Sequence, residues 1–328
     1  MSNHIRSSLI AYSSVFSSLR RIIWVAARPP VPPFSGITSK TLCGLDALST
    51  MIQVDLVTFA EEVAREATAE TLQAYWQNRP IFIHVLPQQR AMSWHQALWQ
   101  SQFQLSGLFE RELLATKLTE LAWSSSESLT IFDDIILAPV ASEYASNAII
   151  SPHDCISRMF LSHCQAQISL FSKLKKWIQF QIAQHYEREF YHKFLLVHVI
   201  TPRDRVWLEE VNPYARYHVV PNADLLNPGF VRDFSSKWDI LIWGDLTVAA
   251  CVQGTREFLW RMQQDSYLAT VNKILIGKVP KNLATRVIGE KLMRQIEYTP
   301  YLEDEAGHIR SAKIIVIPDI GGAGMKNR

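Results

Sequence analysis

The chain has 328 residues, of which 48% are hydrophobic and 20% are charged, and its formal net charge at pH 7 is +2. This length exceeds what one compact core commonly holds and predicts two domains, while the balanced composition excludes a disordered chain. There is no apolar stretch of about 18 residues, so the sequence predicts no membrane-spanning helix. The near-neutral charge gives no reason to expect a nucleic-acid-binding protein.

Short apolar runs alternate with amphipathic stretches after a serine-rich tail, residues 1–20, that is expected to be flexible. Strands are predicted at 21–27, 54–59, 80–86, 134–138, 148–151, 195–200 and 217–220. Helices are predicted at 38–48, 61–77, across most of 88–124 and at about 164–193. Alternating strands and helices are typical of βαβ units, so residues 21–222 are expected to form one domain around a mostly parallel sheet.

A linker rich in turn formers is predicted at 223–237, and the alternating pattern restarts over residues 238–328. Strands are predicted there at 238–243, 272–277, 296–299 and 313–317, and helices at 255–263, 283–294 and 304–311. The fold class is therefore α/β, with two Rossmann-like, doubly wound parallel-sheet domains. A Rossmann-type strand order of 3-2-1-4 would leave the strand 313–317 at the sheet edge, where an apolar strand is an aggregation hazard.

Cysteine usage and the N-terminal sequence both favour a cytoplasmic protein. Cys43, Cys155, Cys164 and Cys251 have no metal-ligand spacing, which predicts reduced, partly buried thiols. The apolar run Leu9–Ala11 is too short for the apolar region of a signal peptide.

Candidate binding residues follow predicted strands, because ligands of doubly wound domains bind beyond the carboxyl ends of the strands. Gly36 follows a proline-rich loop after the first strand. His153 directly follows a strand, a position that allows a structural or a functional role, whereas Asp154 is interpreted as a helix cap. Gly244 ends the first strand of the second domain, and the glycine-rich residues 321–324 follow its fourth strand, where they indicate either a phosphate loop or a tight turn.

Several catalytic motifs are missing. There is no GxSxG elbow, no GxxxxGK[ST] loop and no GxGxxG fingerprint, which argues against a hydrolase triad, a P-loop NTPase and a nicotinamide enzyme. Asp133 and Asp134 are interpreted as a turn that precedes a buried strand.

The start of the long helix is basic and aromatic. Lys173, Lys175 and Lys176 lie beside Trp177 and Phe180. This group indicates either a solvated basic face or a peripheral contact with an anionic membrane surface.

From Arg21 onwards the chain resembles the GT-B glycosyltransferases of the retaining, nucleotide-sugar-dependent kind, called glycosyl transferases group 1. The resemblance rests on residues 21–36, 151–154, 199–204 with 219–224, 240–245 with 257–259, and 301–304 with 317–328. It implies that the second domain binds a nucleoside-diphosphate sugar and the first a saccharide or lipid-linked acceptor. It implies no cofactor and no metal, since helix ends and backbone N–H groups stabilise the leaving diphosphate.

The resemblance also implies roles for individual residues. His153 would be the catalytic residue, in contact with the donor sugar. The residues that would bind the donor are Gly36, Gly244, Tyr301, Leu302, Gly322, Gly324 and Lys326. Asp245 stands where many members have an arginine, and the ribose-binding helix and later strands of the family have no counterpart. The second domain is therefore expected to be C-terminally truncated.

The function that the resemblance implies is hexosyltransferase activity in polysaccharide or glycolipid assembly, in the cytoplasm or at the inner face of the membrane. One alternative is an inactive, truncated remnant in which the donor site is cut. The other is a sugar-nucleotide epimerase of the same fold, which would need an acid/base pair in the cleft.

Overall fold

The computed structural model describes residues 18–31, 36–88, 111–165, 170–221, 237–247, 249–277, 279–300 and 305–318. Spatial clustering divides the chain into two compact units. The first contains the described residues up to Cys155 and those from Ile182 to 221. The second contains the described residues of Ile156–Gln181 and those from 237 to 318.

The first unit contains a parallel sheet of seven strands in the order β3-β2-β1-β4-β5-β6-β7. The strands are β1 (Arg21–Ala26), β2 (Gln53–Ala60), β3 (Ile81–Pro87), β4 (Ser128–Asp133), β5 (Ala148–Ser151), β6 (Leu196–Val199) and β7 (Tyr217–Val219). The chain runs outward from β1 to β3 and then returns to place β4 on the other side of β1. The strand order therefore reverses between β1 and β4, which is where doubly wound sheets bind their ligands.

Seven α-helices are described between the first strand and the seventh. They are α1 (Gly36–Ser49), α2 (Arg65–Tyr75), α3 (Arg111–Glu120), α4 (Ala138–Ala141), α5 (Ile156–Gln165), α6 (Leu170–Phe190) and α7 (Pro202–Val211). The predicted helices at 38–48 and 61–77 are confirmed, although 3-10 geometry over Glu62–Ala64 precedes α2. The long helix predicted at about 164–193 is confirmed over Leu170–Phe190 as α6, but its start is wrong, since residues 164 and 165 belong to the end of α5. Most of the prediction for 88–124 lies outside the described residues, and α3 is the part inside them.

The strand predicted at 134–138 is wrong, and so is the interpretation of the two aspartates before it. The strand is β4, which ends at Asp133. Asp134 has a φ of 118° and begins a 3-10 turn over Ile135–Leu137, which leads into α4. Short buried apolar runs do not distinguish a strand from a helical turn by periodicity, and this one is helical. The correction moves Asp133 from the amino end of a strand to its carboxyl end.

Helix α1 packs closely on β1 because Gly44 lacks a side chain. A Cβ atom at this position would lie 2.6 Å from Cη2 of Trp24, which is closer than real contacts allow. Trp24 belongs to a core cluster with Leu42 and Leu45 of α1 and Leu56 of β2. This packing fixes α1 over the sheet and brings the polar residues near its start to the carboxyl ends of the central strands.

The second unit contains a four-stranded parallel sheet in the order β10-β9-β8-β11. Its strands are β8 (Trp238–Gly244), β9 (Lys273–Gly277), β10 (Glu297–Pro300) and β11 (Ala312–Val316). Its helices after the first strand are α8 (Ala249–Gln264), α9 (Lys281–Ile288), α10 (Glu290–Met293) and α11 (Glu305–Arg310). Alternate residues of β8 and β9 enter two different core clusters, one on each face of the sheet.

The predicted order 3-2-1-4 is confirmed for this sheet. Within the described part of the chain β11 pairs with β8 alone, and its apolar residues Ile314 and Ile315 are exposed. The helix predicted at 283–294 is interrupted at Gly289, whose φ of 103° is left-handed, so α9 and α10 are separate helices.

Candidate functional site

The site is centred on Asp133, at the point where the strand order of the first sheet reverses. Asp133 is the last residue of β4 and is paired with Ala26 of β1 and Ser151 of β5. Its carboxylate is buried. A charged group at this depth is costly unless other groups compensate it, so its contacts decide whether the fold tolerates it.

Two neutral donors and two basic groups surround the Asp133 carboxylate. Its Oδ2 accepts hydrogen bonds from Thr41 Oγ1 at 2.5 Å and from Trp24 Nε1 at 3.2 Å. Its Oδ1 lies 3.8 Å from Lys40 Nζ and 3.4 Å from His153 Nε2. Oδ1 makes no hydrogen bond within the described residues, so the two basic groups face an oxygen that can still accept one.

A chain of hydrogen bonds leads from Lys40 across β5 and β6 to the end of β7. Lys40 Nζ donates to Ser151 Oγ at 2.7 Å, and Ser151 Oγ lies 2.8 Å from Nδ1 of His198. His198 Nε2 lies 2.8 Å from the carbonyl oxygen of Val220. Since a carbonyl oxygen only accepts, we assign the proton of His198 to Nε2, which leaves Nδ1 to accept from Ser151. With this assignment His198 is a neutral imidazole.

Burial sets the protonation states of the basic groups. It lowers the pKa of His153 to about 4, although the nearby Asp133 acts in the opposite direction. Burial also lowers the pKa of His198 to about 4, with the charge of Lys40 as the next cause. The pKa of Lys40 is lowered by burial, and Asp133 offsets part of that effect. Near neutral pH both imidazoles are uncharged.

The two neighbouring aspartates are shifted in opposite directions. Burial on its own would raise the pKa of Asp133, but His153, Lys40 and the donated hydrogen bonds together hold it below its usual value. Burial raises the pKa of Asp134 to about 6, even though its Oδ1 accepts a hydrogen bond from the backbone of Ile136 at 3.1 Å. Pairs of titratable groups whose pKa values are pushed apart are characteristic of catalytic sites.

We expect the free energy of unfolding to fall as the pH is lowered from 6.5 towards 4. The native pKa values of His153 and His198, about 4, lie below the usual histidine value of 6.5. The contribution of these histidines to stability is therefore complete above pH 6.5. Below that pH the unfolded chain binds protons that the folded chain does not, so the free energy of unfolding falls by about 1.4 kcal/mol per pH unit for each such proton. The pKa of Asp134 is raised to about 6 in the folded chain. Between pH 6 and 4 Asp134 therefore binds about one proton in the folded state, which offsets the effect of roughly one of the two histidines.

Urea unfolding at four values between pH 7 and pH 4 measures this dependence. His198→Gln should flatten the slope by about one proton, or about 1.4 kcal/mol per pH unit. His192→Gln, at a histidine that contacts the backbone of Arg188 outside the site, is the matched control. An unchanged slope in the His198 variant would contradict the assignment of a neutral, buried His198.

A second buried carboxylate, Asp55, lies away from the carboxyl ends of the strands. It forms an ion pair with Arg21 at 2.6 Å and a hydrogen bond with His84 at 3.0 Å, and both partners come from neighbouring strands. Gln53 at the start of β2 donates a further hydrogen bond at 3.3 Å. This cluster ties β1, β2 and β3 together and provides a structural comparison for the Asp133 site.

The structure brings one of the predicted site residues into the Asp133 site and places two more. His153 is within it. Gly36 begins α1, the helix that carries Lys40 and Thr41. Gly244 ends β8, where an added Cβ would lie 2.3 Å from Sγ of Cys251, so only glycine fits. The predicted residues Tyr301, Leu302, Gly322, Gly324 and Lys326 lie outside the described residues.

The sequence reasoning missed the residues that surround His153. The position of Asp133 could have been predicted, because the β-branched and aromatic residues of 128–133 indicate a strand that ends on an acidic residue. Ser151 belongs to the segment 151–154, but the sequence assigns it no catalytic or binding role. Lys40 and His198 lie inside a helix and a strand, and nothing in their local pattern indicates that they meet.

In the described part of the chain no group of three or more His, Cys, Asp and Glu side chains is arranged to hold a metal ion. No helix among the described residues has both the length and the apolar character needed to cross a bilayer.

No family model matches this sequence, and no curated protein matches it. Solved structures do match. TarM aligns with a TM-score of 0.60 at 11% identity, over 90% of this chain and 79% of TarM. The N-terminal domain of trehalose-6-phosphate phosphatase from Candida albicans aligns with a TM-score of 0.56 at 11% identity, over 93% and 78%. WaaG, a glycosyltransferase involved in lipopolysaccharide biosynthesis, aligns with a TM-score of 0.53 at 9% identity, over 91% and 75%.

These identities are low, and what the matches establish is the fold. They span both units of this chain, and both units contain the parallel α/β sheets that the alignment requires. The chain therefore has the GT-B fold, with the two Rossmann-like domains found in glycosyltransferases.

Proposed function

We propose that this protein is a metal-independent glycosyltransferase that moves a hexose from a nucleoside-diphosphate sugar to an acceptor hydroxyl with retention of configuration. The observation that carries the proposal is the buried group of Lys40, Asp133 and His153 at the reversal point of the first sheet, in a chain of GT-B fold. A buried cluster of compensated charges is not needed for stability, because apolar residues in its place would give a fold that is at least as stable. Its position at the reversal point therefore favours a role in function.

The structural neighbours support this class of substrate. One of them is an S. aureus TarM mutant in complex with fondaparinux, alpha-GlcNAc-glycerol and UDP, which aligns with a TM-score of 0.59 at 10% identity. WaaG is described as acting in lipopolysaccharide biosynthesis. By analogy we assign polysaccharide or glycolipid assembly to this chain, with the donor on the second unit and the acceptor on the first.

The proposed role of His153 follows from its two ring nitrogens. Nε2 faces the Asp133 carboxylate. An ionised carboxylate accepts hydrogen bonds and donates none, so we assign the ring proton to Nε2. Nδ1 is then an acceptor, and it is buried without a hydrogen-bond partner among the described residues. A hydroxyl group of the bound sugar would donate to Nδ1 and remove the cost of leaving it unsatisfied.

The chemical step requires stabilisation of the leaving group more than a strong base. The bond between the anomeric carbon and the diphosphate oxygen breaks, and the electron pair leaves with the diphosphate. The acceptor oxygen bonds to the anomeric carbon on the same face, and its proton passes to the departing phosphate oxygen. In this scheme the N-terminus of α1, which begins at Gly36, favours the developing negative charge.

Donor binding and turnover test the proposal. Titration calorimetry with UDP-, GDP- and ADP-glucose should show binding of one of the three. His153→Ala should lower the rate of nucleotide release by about 100- to 1,000-fold, the usual effect of losing one transition-state contact. His84→Ala, at the histidine of the Asp55 cluster, is the matched control and should retain the rate. No binding of any of the three donors would overturn the proposal and favour an inactive remnant.

A sugar-nucleotide epimerase is the second candidate, because Asp134, whose backbone N–H donates to the carbonyl oxygen of Ser151 at 3.1 Å, adds a titratable group with a pKa near 6 to this end of the sheet. Such an enzyme acts on the sugar nucleotide without an acceptor. Incubation of the bound donor alone, followed by analysis of the sugar, distinguishes the two. An inverted sugar centre would favour the epimerase, and an unchanged sugar that is transferred only when acceptor is added would favour the transferase.

A further inference from the structure

The first half of α6 exposes five large apolar side chains. They are Leu170, Phe171, Leu174, Trp177 and Ile178, with exposed fractions of 84%, 79%, 55%, 49% and 44%. Isolated exposed apolar residues are ordinary on protein surfaces, but five within nine consecutive positions form a continuous patch. We call these five residues the α6 apolar face.

The α6 apolar face points away from the protein. At about 100° per residue, its five members fall within an arc of about 120° around the helix. Phe180 and Ala183 are buried and lie on the opposite side. The helix therefore has two apolar sides, one that packs on the protein and one that meets solvent.

Positive charge borders the α6 apolar face on both sides. By the same helical geometry Lys173 lies beside one edge of the arc and Lys175 beside the other, and both side chains are exposed. Lys176 lies further round the helix, where its Nζ is 5.3 Å from the ring centroid of Phe160. The sequence has no acidic residue from 170 to 186, and α5 has none either.

This combination indicates the partner. An apolar arc bordered by lysines and containing a tryptophan fits the boundary between the acyl chains and the headgroups of a bilayer. The lack of acidic residues favours a negatively charged surface. No described helix, α6 included, is apolar enough to cross a bilayer, so α6 would lie parallel to the surface.

We propose that the α6 apolar face binds the surface of an anionic lipid bilayer, with its five apolar side chains inserted at the interface and Lys173 and Lys175 in contact with lipid phosphates. The proposal does not depend on the glycosyltransferase activity, because it rests on the exposure, spacing and charge of α6 alone. It identifies one surface of the second unit as a docking surface.

Co-sedimentation of the full chain with lipid vesicles tests the proposal. The protein should bind vesicles that contain 30% phosphatidylglycerol in phosphatidylcholine, and binding should weaken as salt is raised. The triple variant Leu170→Ser, Phe171→Ser, Leu174→Ser should bind about a hundredfold more weakly. Lys173→Gln with Lys175→Gln should weaken binding about 25-fold at low salt, or about fivefold for each lysine.

Two control variants separate the α6 apolar face from general surface effects. The first replaces three exposed apolar residues elsewhere by serine, namely Val63, Val206 and Tyr267. The second is Lys281→Gln with Lys291→Gln, two exposed lysines of α9 and α10. Both should bind vesicles as the unaltered chain does, and circular dichroism should show that every variant is folded.

Three results would overturn the proposal. The first is a lack of binding by the unaltered chain to anionic vesicles. The second is equal binding by the α6 variants and their controls. The third is concentration-dependent dimerisation that the α6 variants abolish, which would assign the α6 apolar face to a second copy of this chain.

Discussion

Asp133→Asn should lower the free energy of unfolding by about 3–5 kcal/mol, which is the usual cost of removing one partner from a buried ion pair. The substituted amide can still accept the hydrogen bonds from Thr41 and Trp24 through its oxygen. Its NH₂ group then faces Lys40 Nζ and His153 Nε2, so donors meet donors and the ammonium loses its counter-charge. Urea unfolding at pH 7 measures the loss.

A second replacement shows whether the unpaired charge is the cause. Adding Lys40→Met to Asp133→Asn removes the buried ammonium and should restore at least half of the lost stability. Glu62→Gln, at an exposed carboxylate paired with Arg65, is the control and should change stability by less than about 0.5 kcal/mol. If Asp133→Asn costs less than about 1 kcal/mol, the buried network does not hold this part of the fold together.

Asp134→Asn should have the opposite effect and stabilise the protein by about 3 kcal/mol at pH 7. The pKa of Asp134 is raised from 3.8 to about 6, and each unit corresponds to about 1.4 kcal/mol. Because the native pKa lies above the unfolded value, the destabilising effect of the ionised group develops as the pH rises from about 4 through 6 and is complete above that range. An asparagine keeps the oxygen that accepts from Ile136, and it has the same shape as the aspartate that already adopts the φ of 118°.

The pH dependence gives this prediction its control. At pH 4 the aspartate is protonated in the folded state and close to its midpoint in the unfolded state, so the variant and the unaltered chain should differ by less than about 1 kcal/mol. The difference should grow as the pH is raised to 7. A variant that is less stable than the unaltered chain at pH 7 would contradict the prediction, since it would show that the charge of Asp134 is compensated in the fold.

Opposite stability effects of the Asp133 and Asp134 variants would distinguish a buried carboxylate that stabilises the fold from one that destabilises it. Asp133 is held ionised by the groups around it, whereas Asp134 is buried with a single backbone donor, so its ionised form is poorly compensated and its pKa is raised to about 6. Sites that retain a destabilising ionisable group commonly trade stability for activity. The Asp134 variant therefore also gives a way to measure that trade-off in whichever reaction the site performs.

The sequence alone determined the fold class and most of the elements. Segments that are mostly apolar and include β-branched residues, such as 53–60 and 238–244, have the composition of buried parallel strands, and the amphipathic stretches between them have helical spacing. The strand order of the second sheet was also predicted correctly, because the alternating pattern indicated a Rossmann-type domain and that type has the order 3-2-1-4. His153 was identified because a residue that follows a strand of a parallel sheet lies at the ligand-binding edge.

Only the tertiary structure determined which residues meet His153. Lys40, Asp133 and His198 are separated by 93 and 65 positions along the chain, and they come together because α1 packs across β1 while β4, β5 and β6 align their carboxyl ends. The sequence also misplaced β4, since the apolar run after Asp134 could be a strand or a helical turn, and only its packing made it helical. Likewise, the lysines of α6 were visible in the sequence, but whether its apolar residues faced the core or solvent depended on which side of the helix the rest of the protein covers. Local patterns fix local structure, whereas burial and side-chain proximity depend on contacts between distant segments.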